Sequence, residues 1–196
     1  MTLIIVTGMP GVGSSTVINE ALKLREENEC VGAEFIPKNY GDVMFEAAVE
    51  EGQVKNKDEM RKLSVEKQRG IQMRACNKIA DWHESMNLII DTHCTIKTPF
   101  GYLPGLPEYV LRELNPDLFV LIEAAPEEVF ERRQKDKARE RDVETKSDIE
   151  EHQFMNRAMS MVYAGLTGAA VKIIHNHDDA LEKAAAEFVK VLNACS

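Results

Sequence analysis

Apolar runs of strand length recur along the chain, separated by longer stretches in which apolar residues return every third or fourth position. The runs are Leu3–Val6, a weaker one near Glu34–Ile36, Leu88–Ile90, Leu118–Ile122 and Val171–Ile174. Their apolar character is continuous rather than alternating, which predicts strands covered on both faces, as in a parallel sheet. Strands of this kind alternating with helices define the α/β class.

The helical stretches carry readable punctuation. From Met155 onward, apolar residues at 155, 158, 159, 162 and 166 keep a helical period, and Ser147-Asp148-Ile149-Glu150 ahead of them has capping-box spacing. Pro126 with Glu127 and Glu128 suits a first helical turn, where a missing N–H is harmless and acids oppose the dipole. Asn115-Pro116-Asp117 predicts a turn into the Leu118 strand. Residues 92 to 107, "THCTIKTPFGYLPGLP", read as a long loop leaving a strand's carboxyl end, where open α/β sheets bind ligands, and so as a substrate wall.

Composition narrows the picture. At 196 residues, 44% hydrophobic and 29% charged, the chain fits one globular domain. A formal charge of −9 disfavours a general nucleic-acid or acidic-membrane binder, so an anionic substrate needs a local cationic site. Cys30, Cys76, Cys94 and Cys195 form no C-x-x-C pair and no metal-ligand spacing, which predicts reduced thiols and no zinc site. With no apolar run of membrane-spanning length and an opening run too short for a signal h-region, the expectation is a soluble cytoplasmic protein.

The first chemistry-bearing motif is "GMPGVGSST", Gly8 to Thr16, between an apolar strand and an amphipathic segment starting near Ser14. That is the context of a phosphate-binding P-loop, G-x-x-x-x-G-K-[ST], except that Ser14 stands where the lysine belongs. Gly8, Gly11 and Gly13 let backbone N–H groups face phosphate oxygens, the helix start adds partial positive charge, and Ser15 is placed to hold Mg²⁺. A glycine-rich turn that binds nothing is the bland alternative. Asp91, closing "NLIID", sits as a Walker-B acid does when it holds a magnesium-bound water; it is equally placed to cap the following loop.

Residues 131 to 142, "ERRQKDKARERD", concentrate cations on an otherwise acidic chain. Arginines suit phosphate because the guanidinium presents a planar fork of donors, although a charge run by itself reads first as a solvated helix face. His93, beside Asp91, could touch substrate or merely pack in a loop.

Taken in order, "VTGMPGVGSST", "GDVMFEAA", "DEMRKL", "IIDTHCTIKTPFGYLPGLP", "LRELNPDLFVLIEA", "RDVETKSDIEEHQFMNR" and "LTGAAVKII" resemble the archaeal adenylate kinase family over nearly the whole chain. The resemblance implies a P-loop nucleoside monophosphate kinase that converts ATP and AMP to two ADP with Mg²⁺, often as a homotrimer. It implies a P-loop-type parallel sheet with small AMP-binding (38–67) and lid (131–146) insertions within a single domain, 1–196. Gly8, Met9, Pro10, Gly11, Val12, Gly13, Ser14, Ser15 and Thr16 resemble the ATP phosphate cradle, with Arg133 a further ATP contact. Arg61 looks like the AMP-phosphate arginine, and Gly41 falls in the same region. Arg139 and Arg141 resemble lid arginines, and Arg157 the arginine on the helix after the lid. Asp91 and Ser15 take the metal roles, Asp91 through water.

Two departures stand out. The P-loop lysine of most nucleoside monophosphate kinases is absent, and the D-G-x-P-R motif common among them is replaced by Asp91-Thr92-His93, leaving Lys97 as the nearest cation for a second AMP contact. The arginine-rich segment offers charge that Ser14 does not, since phosphoryl transfer asks mainly for positioning and electrostatics. The rival readings are a kinase for CMP or UMP, and a non-catalytic adenine-nucleotide sensor.

Overall fold

The computed structural model describes residues 1–27, 32–135 and 144–195. Its centre is a parallel sheet of five strands in the order β2-β3-β1-β6-β7. These are β1 (Leu3–Thr7), β2 (Phe35–Asn39), β3 (Asn87–Thr92), β6 (Leu118–Glu123) and β7 (Ala170–His175). Every residue of β1 is buried, as its unbroken apolar run requires for a central strand. The pleat sends Ile4 and Val6 to one face and Leu3 and Ile5 to the other, and each face has its own core.

The Ile4 face packs against α1 (Ser14–Glu27), α6 (Pro126–Lys135) and α8 (Leu181–Ala194), through Val17, Val129 and Phe188 among others. The Leu3 face packs against α2 (Tyr40–Glu50), α4 (Val65–His83), α5 (Glu108–Leu114) and α7 (Lys146–Thr167), through Val43, Ile79, Leu111 and Tyr163. A smaller cluster of Ala48, Val54 and Ile71 joins α2 and α4 around the short α3 (Lys57–Arg61). Asn39, Asn56 and Ser64 cap α2, α3 and α4 by accepting from backbone N–H groups, each worth about 1 kcal/mol.

Three local expectations change. Residues 92 to 107 are not one loop: β4 (Thr95–Thr98) and β5 (Gly101–Pro104) pair antiparallel about a turn at Pro99-Phe100, with Thr98 Oγ1 donating to the Gly101 carbonyl at 2.9 Å. Strands this short leave almost no periodic signal. The capping box of α7 lies two positions earlier than its predicted place, with Thr145 as N-cap and Asp148 returning the bond. Finally, the apolar period from Met155 does not mark the core face of α7. That face is lined by Ile149, His152, Gln153, Asn156, Ser160, Tyr163 and Ala164, while Phe154, Met161, Val162 and Leu166 point outward. The core face is polar because it bonds the hairpin: Asn156 Oδ1 accepts from Thr95 Oγ1 at 2.6 Å, and the His152 ring meets the Thr95 carbonyl at 3.3 Å.

Asn115 ends α5 in the left-handed conformation, and Asp117 then accepts from the Leu3 N–H at 2.8 Å, so the predicted turn locks β6 beside β1.

Candidate active site

All five strands run the same way, so their carboxyl ends meet along one edge. The register sets Val6 beside Asp91 and Thr7 beside both Thr92 and Leu121. Residues 8 to 13 therefore leave the sheet between the ends of β3 and β6, where the chain reverses direction across the sheet and ligands bind.

The loop is held from below and from outside. Met9 and Val12 bury their side chains in the core, so these residues contribute only backbone to the cradle. A Cβ on Gly8 would lie 2.5 Å from Val12 Cγ2 and 2.9 Å from the Ile122 carbonyl oxygen; Gly13 has φ +83° and would bring a Cβ 2.7 Å from Asn176 Nδ2. Neither position admits a side chain without a shift.

From outside, side chains take the loop's carbonyls. Arg133 Nε donates to the Pro10 carbonyl at 2.6 Å, Asn176 Nδ2 to that of Val12 at 2.8 Å, and Arg132 Nη1 spans Val12 and Gly11 at 3.4 and 3.5 Å. In a planar trans peptide the C=O and N–H point in opposite directions, so these bonds turn the N–H groups of Gly11 and Gly13 inward, as an anion nest requires. Arg132 is tied in turn to Asp178 at 2.6 Å and to the Asn176 carbonyl at 2.9 Å.

At the start of α1, Ser14 Oγ donates to Asp91 Oδ1 at 3.1 Å and Ser15 Oγ to Asp91 Oδ2 at 2.5 Å. A hydroxyl and a carboxylate make a hard-oxygen donor set that fits Mg²⁺, which keeps several waters and takes few protein ligands. The His93 ring lies 3.4 Å from the Gly8 carbonyl. On the far side, Arg157 on α7 makes a fork-to-fork pair with Glu123, the last residue of β6, at 2.7 and 2.5 Å.

Beside the loop lies a cleft of about 250 Å³, walled by Gly11, Gly13 and Thr16 on one side and by Asn176, His177 and Asp179 on the other. Glu128 clasps this second wall, accepting from the Asp178 N–H at 2.8 Å and meeting the His177 ring at 3.0 Å. Burial works against ionisation of Glu128, but the Asp178 N–H, the His177 ring and the Ala125 N–H outweigh it and hold its pKa at about 2.

The edge thus gathers Gly8 to Thr16, Asp91, His93, Arg133 and Arg157. Lys97 is turned instead toward the start of α7, 2.9 Å from Asp148 and 3.6 Å from Glu144, and Glu144 also pairs with Arg133. Gly41 lies in the first turn of α2, just beyond Asn39, which the register sets beside Asp91. Arg61 is the last residue of α3. Its side chain lies outside the described residues, as do Arg139 and Arg141.

Sequence reasoning missed Glu123, Arg132, Asn176 and Glu128. Glu123 carries the same signal as Asp91, an acid closing an apolar run. Asn176 opens a turn-rich stretch after the last strand, on the edge where ligands are expected. Arg132 was visible only as one cation in a run.

A family profile described as an AAA domain matches residues 7–150. The chain is 56% identical over 194 residues to a curated adenylate kinase of Methanopyrus kandleri, covering 98% of each chain. It is 53% identical over 190 residues to that of Methanocaldococcus jannaschii, covering 97% of each. A solved shikimate kinase from Bacteroides thetaiotaomicron aligns with TM-score 0.50 at 17% identity, over 97% of this chain and 98% of that one, a likeness of fold alone. On identities of this size over nearly its full length, the chain belongs to the adenylate kinase family.

Proposed function

We propose that this protein transfers the γ-phosphoryl group of ATP to AMP, giving two ADP, with Mg²⁺ bound beside Ser15 and Asp91. The observation that carries the reading is the loop itself. Although Ser14 replaces the lysine, the cradle is fully built: its carbonyls are held by Arg132, Arg133 and Asn176, and both serine hydroxyls are anchored on Asp91.

The division of labour follows from charge. The inward N–H groups of the loop and the start of α1 take phosphate oxygens. A bound Mg²⁺ would supply positive charge to the phosphates. Ser15 and Asp91 are the residues that would hold it. Arg157, whose side chain is half exposed, presents its free edge to the transferring group. Arg139 and Arg141 add charge from the lid, segment 131–146, whose closure excludes water and prevents hydrolysis. AMP occupies the region 38–67, with Arg61 on its phosphate and Gly41, His93 and Lys97 near it. Lys97 must first release Asp148 to take part.

We assign the enzyme to the cytoplasm as a homotrimer. Among the described residues no helix is long and apolar enough to cross a membrane. The outward apolar residues of α7, Phe154, Met161, Val162 and Leu166, are 53 to 65% exposed and are the surface that supports contact between copies.

The test is ADP formation from Mg·ATP with each of AMP, CMP, UMP and GMP. AMP should be the best acceptor. Faster transfer to CMP or UMP would move the assignment within the kinases, and nucleotide binding without turnover on any acceptor would favour a sensor.

A further inference from the structure

Glu123 ends β6 with only 3% of its surface exposed. Burying a carboxylate this deep is costly unless a cation and hydrogen-bond donors compensate it. It finds both in Arg157, whose Nε donates to Oε1 at 2.7 Å and whose Nη2 donates to Oε2 at 2.5 Å. The pair is lopsided: the Arg157 side chain is 51% exposed and that of Glu123 4%. One edge of the guanidinium is therefore spent on the acid, and among the described residues no hydrogen bond occupies Nη1. The backbone of Glu123 belongs to the same assembly, since its carbonyl accepts from the Asn176 N–H at 2.7 Å and the Asn176 side chain holds the Val12 carbonyl of the loop.

We propose that Glu123 is a positioning residue for phosphoryl transfer, fixing Arg157 before substrate arrives so that its open edge faces the transferring group. The inference rests on the reading above, that Arg157 contacts the phosphates. A flexible arginine samples many rotamers and must be ordered in the transition state; one clamped by a buried carboxylate is ordered already. Such a clamp acts mainly on kcat, because the ground-state hold on ATP is shared with the loop.

The experiment compares Glu123→Gln, Arg157→Ala and the double variant for kcat and both KM values, with thermal melting as the control for folding. Glu123→Gln should lower kcat by about 10- to 100-fold with KM values within about threefold, and the double variant should be no slower than Arg157→Ala. Arg157→Ala at the wild-type rate would overturn the phosphate-contact reading and this proposal with it. A slow Arg157→Ala beside a wild-type Glu123→Gln, or losses that add in the double variant, would overturn the proposal alone. If Glu123→Gln does not fold, Glu123→Asp, which keeps the charge but retracts the fork, should show the same selective loss of kcat. Failure of both to fold would make Glu123 a structural residue and overturn the proposal.

Discussion

Ser14 Oγ donates to Asp91 Oδ1 at 3.1 Å, joining residues far apart in sequence at the position where most P-loops carry lysine. With Ser15 on the other carboxylate oxygen, both hydroxyls fix the acid without neutralising it. In the proposed site the same carboxylate would face the water shell of Mg²⁺. A lysine at position 14 would lose this hydroxyl bond, so the serine ties the start of α1 to the end of β3.

Asp91→Asn should lower turnover by at least about tenfold while leaving the melting temperature nearly unchanged. The acid stands near a strand end and, among the described residues, its side chain bonds two serines across the site. Steady-state rates with Mg²⁺ and a melting curve decide it. An unchanged rate removes Asp91 from the site, and a large loss of stability makes it a cap.

Arg132 girds the loop, so Arg132→Ala should raise the ATP KM by about tenfold, the equivalent of one charge-assisted hydrogen bond of ~1.5 kcal/mol. The AMP KM should stay near the wild-type value. Equal loss on both substrates would show that the residue supports the fold rather than the loop.

How much of this was legible beforehand depends on the range of each signal. The buried strands and the loop between β1 and α1 were plain, because continuous apolar runs and glycine spacing are local. The hairpin was hidden by strands of four residues, and the polar core face of α7 by its bonds to Thr95, which join residues 95, 152 and 156. Arg132 and Arg133 looked like a solvated face until the fold brought them to carbonyls some 120 positions away. Periodicity cannot see such contacts, since they arise from where the strand ends meet.

Arg61→Ala should raise the AMP KM by about tenfold or more and spare that for ATP, as expected for losing one charge-assisted phosphate contact of ~1.5–3 kcal/mol. Initial rates over a two-substrate matrix separate the effects. Parallel rises in both KM values would speak against a distinct AMP region.

The Glu128 clasp predicts a pH dependence. Its folded pKa of about 2 lies below the ordinary glutamate value, so its stabilisation is complete above that ordinary value and is lost as pH falls toward 2. Glu128→Gln should therefore melt about 3–6 °C below the wild type at pH 7, with the gap closing between roughly pH 4.5 and 2. Melting curves across that range test it; a gap that persists or widens in acid would contradict the clasp.

In the proposed reaction the loop with Ser14 works without a lysine, its charge supplied by the backbone nest, the helix start and the arginines around it. Comparing kcat/KM of the wild type and Ser14→Lys tests this most directly. Ser14→Lys should change kcat/KM by less than about tenfold, ~1.4 kcal/mol, while Arg139→Ala or Arg141→Ala costs at least about a hundredfold. A thousandfold gain in Ser14→Lys would contradict it, showing the natural loop to be deficient and the protein better suited to sensing nucleotides than to converting them.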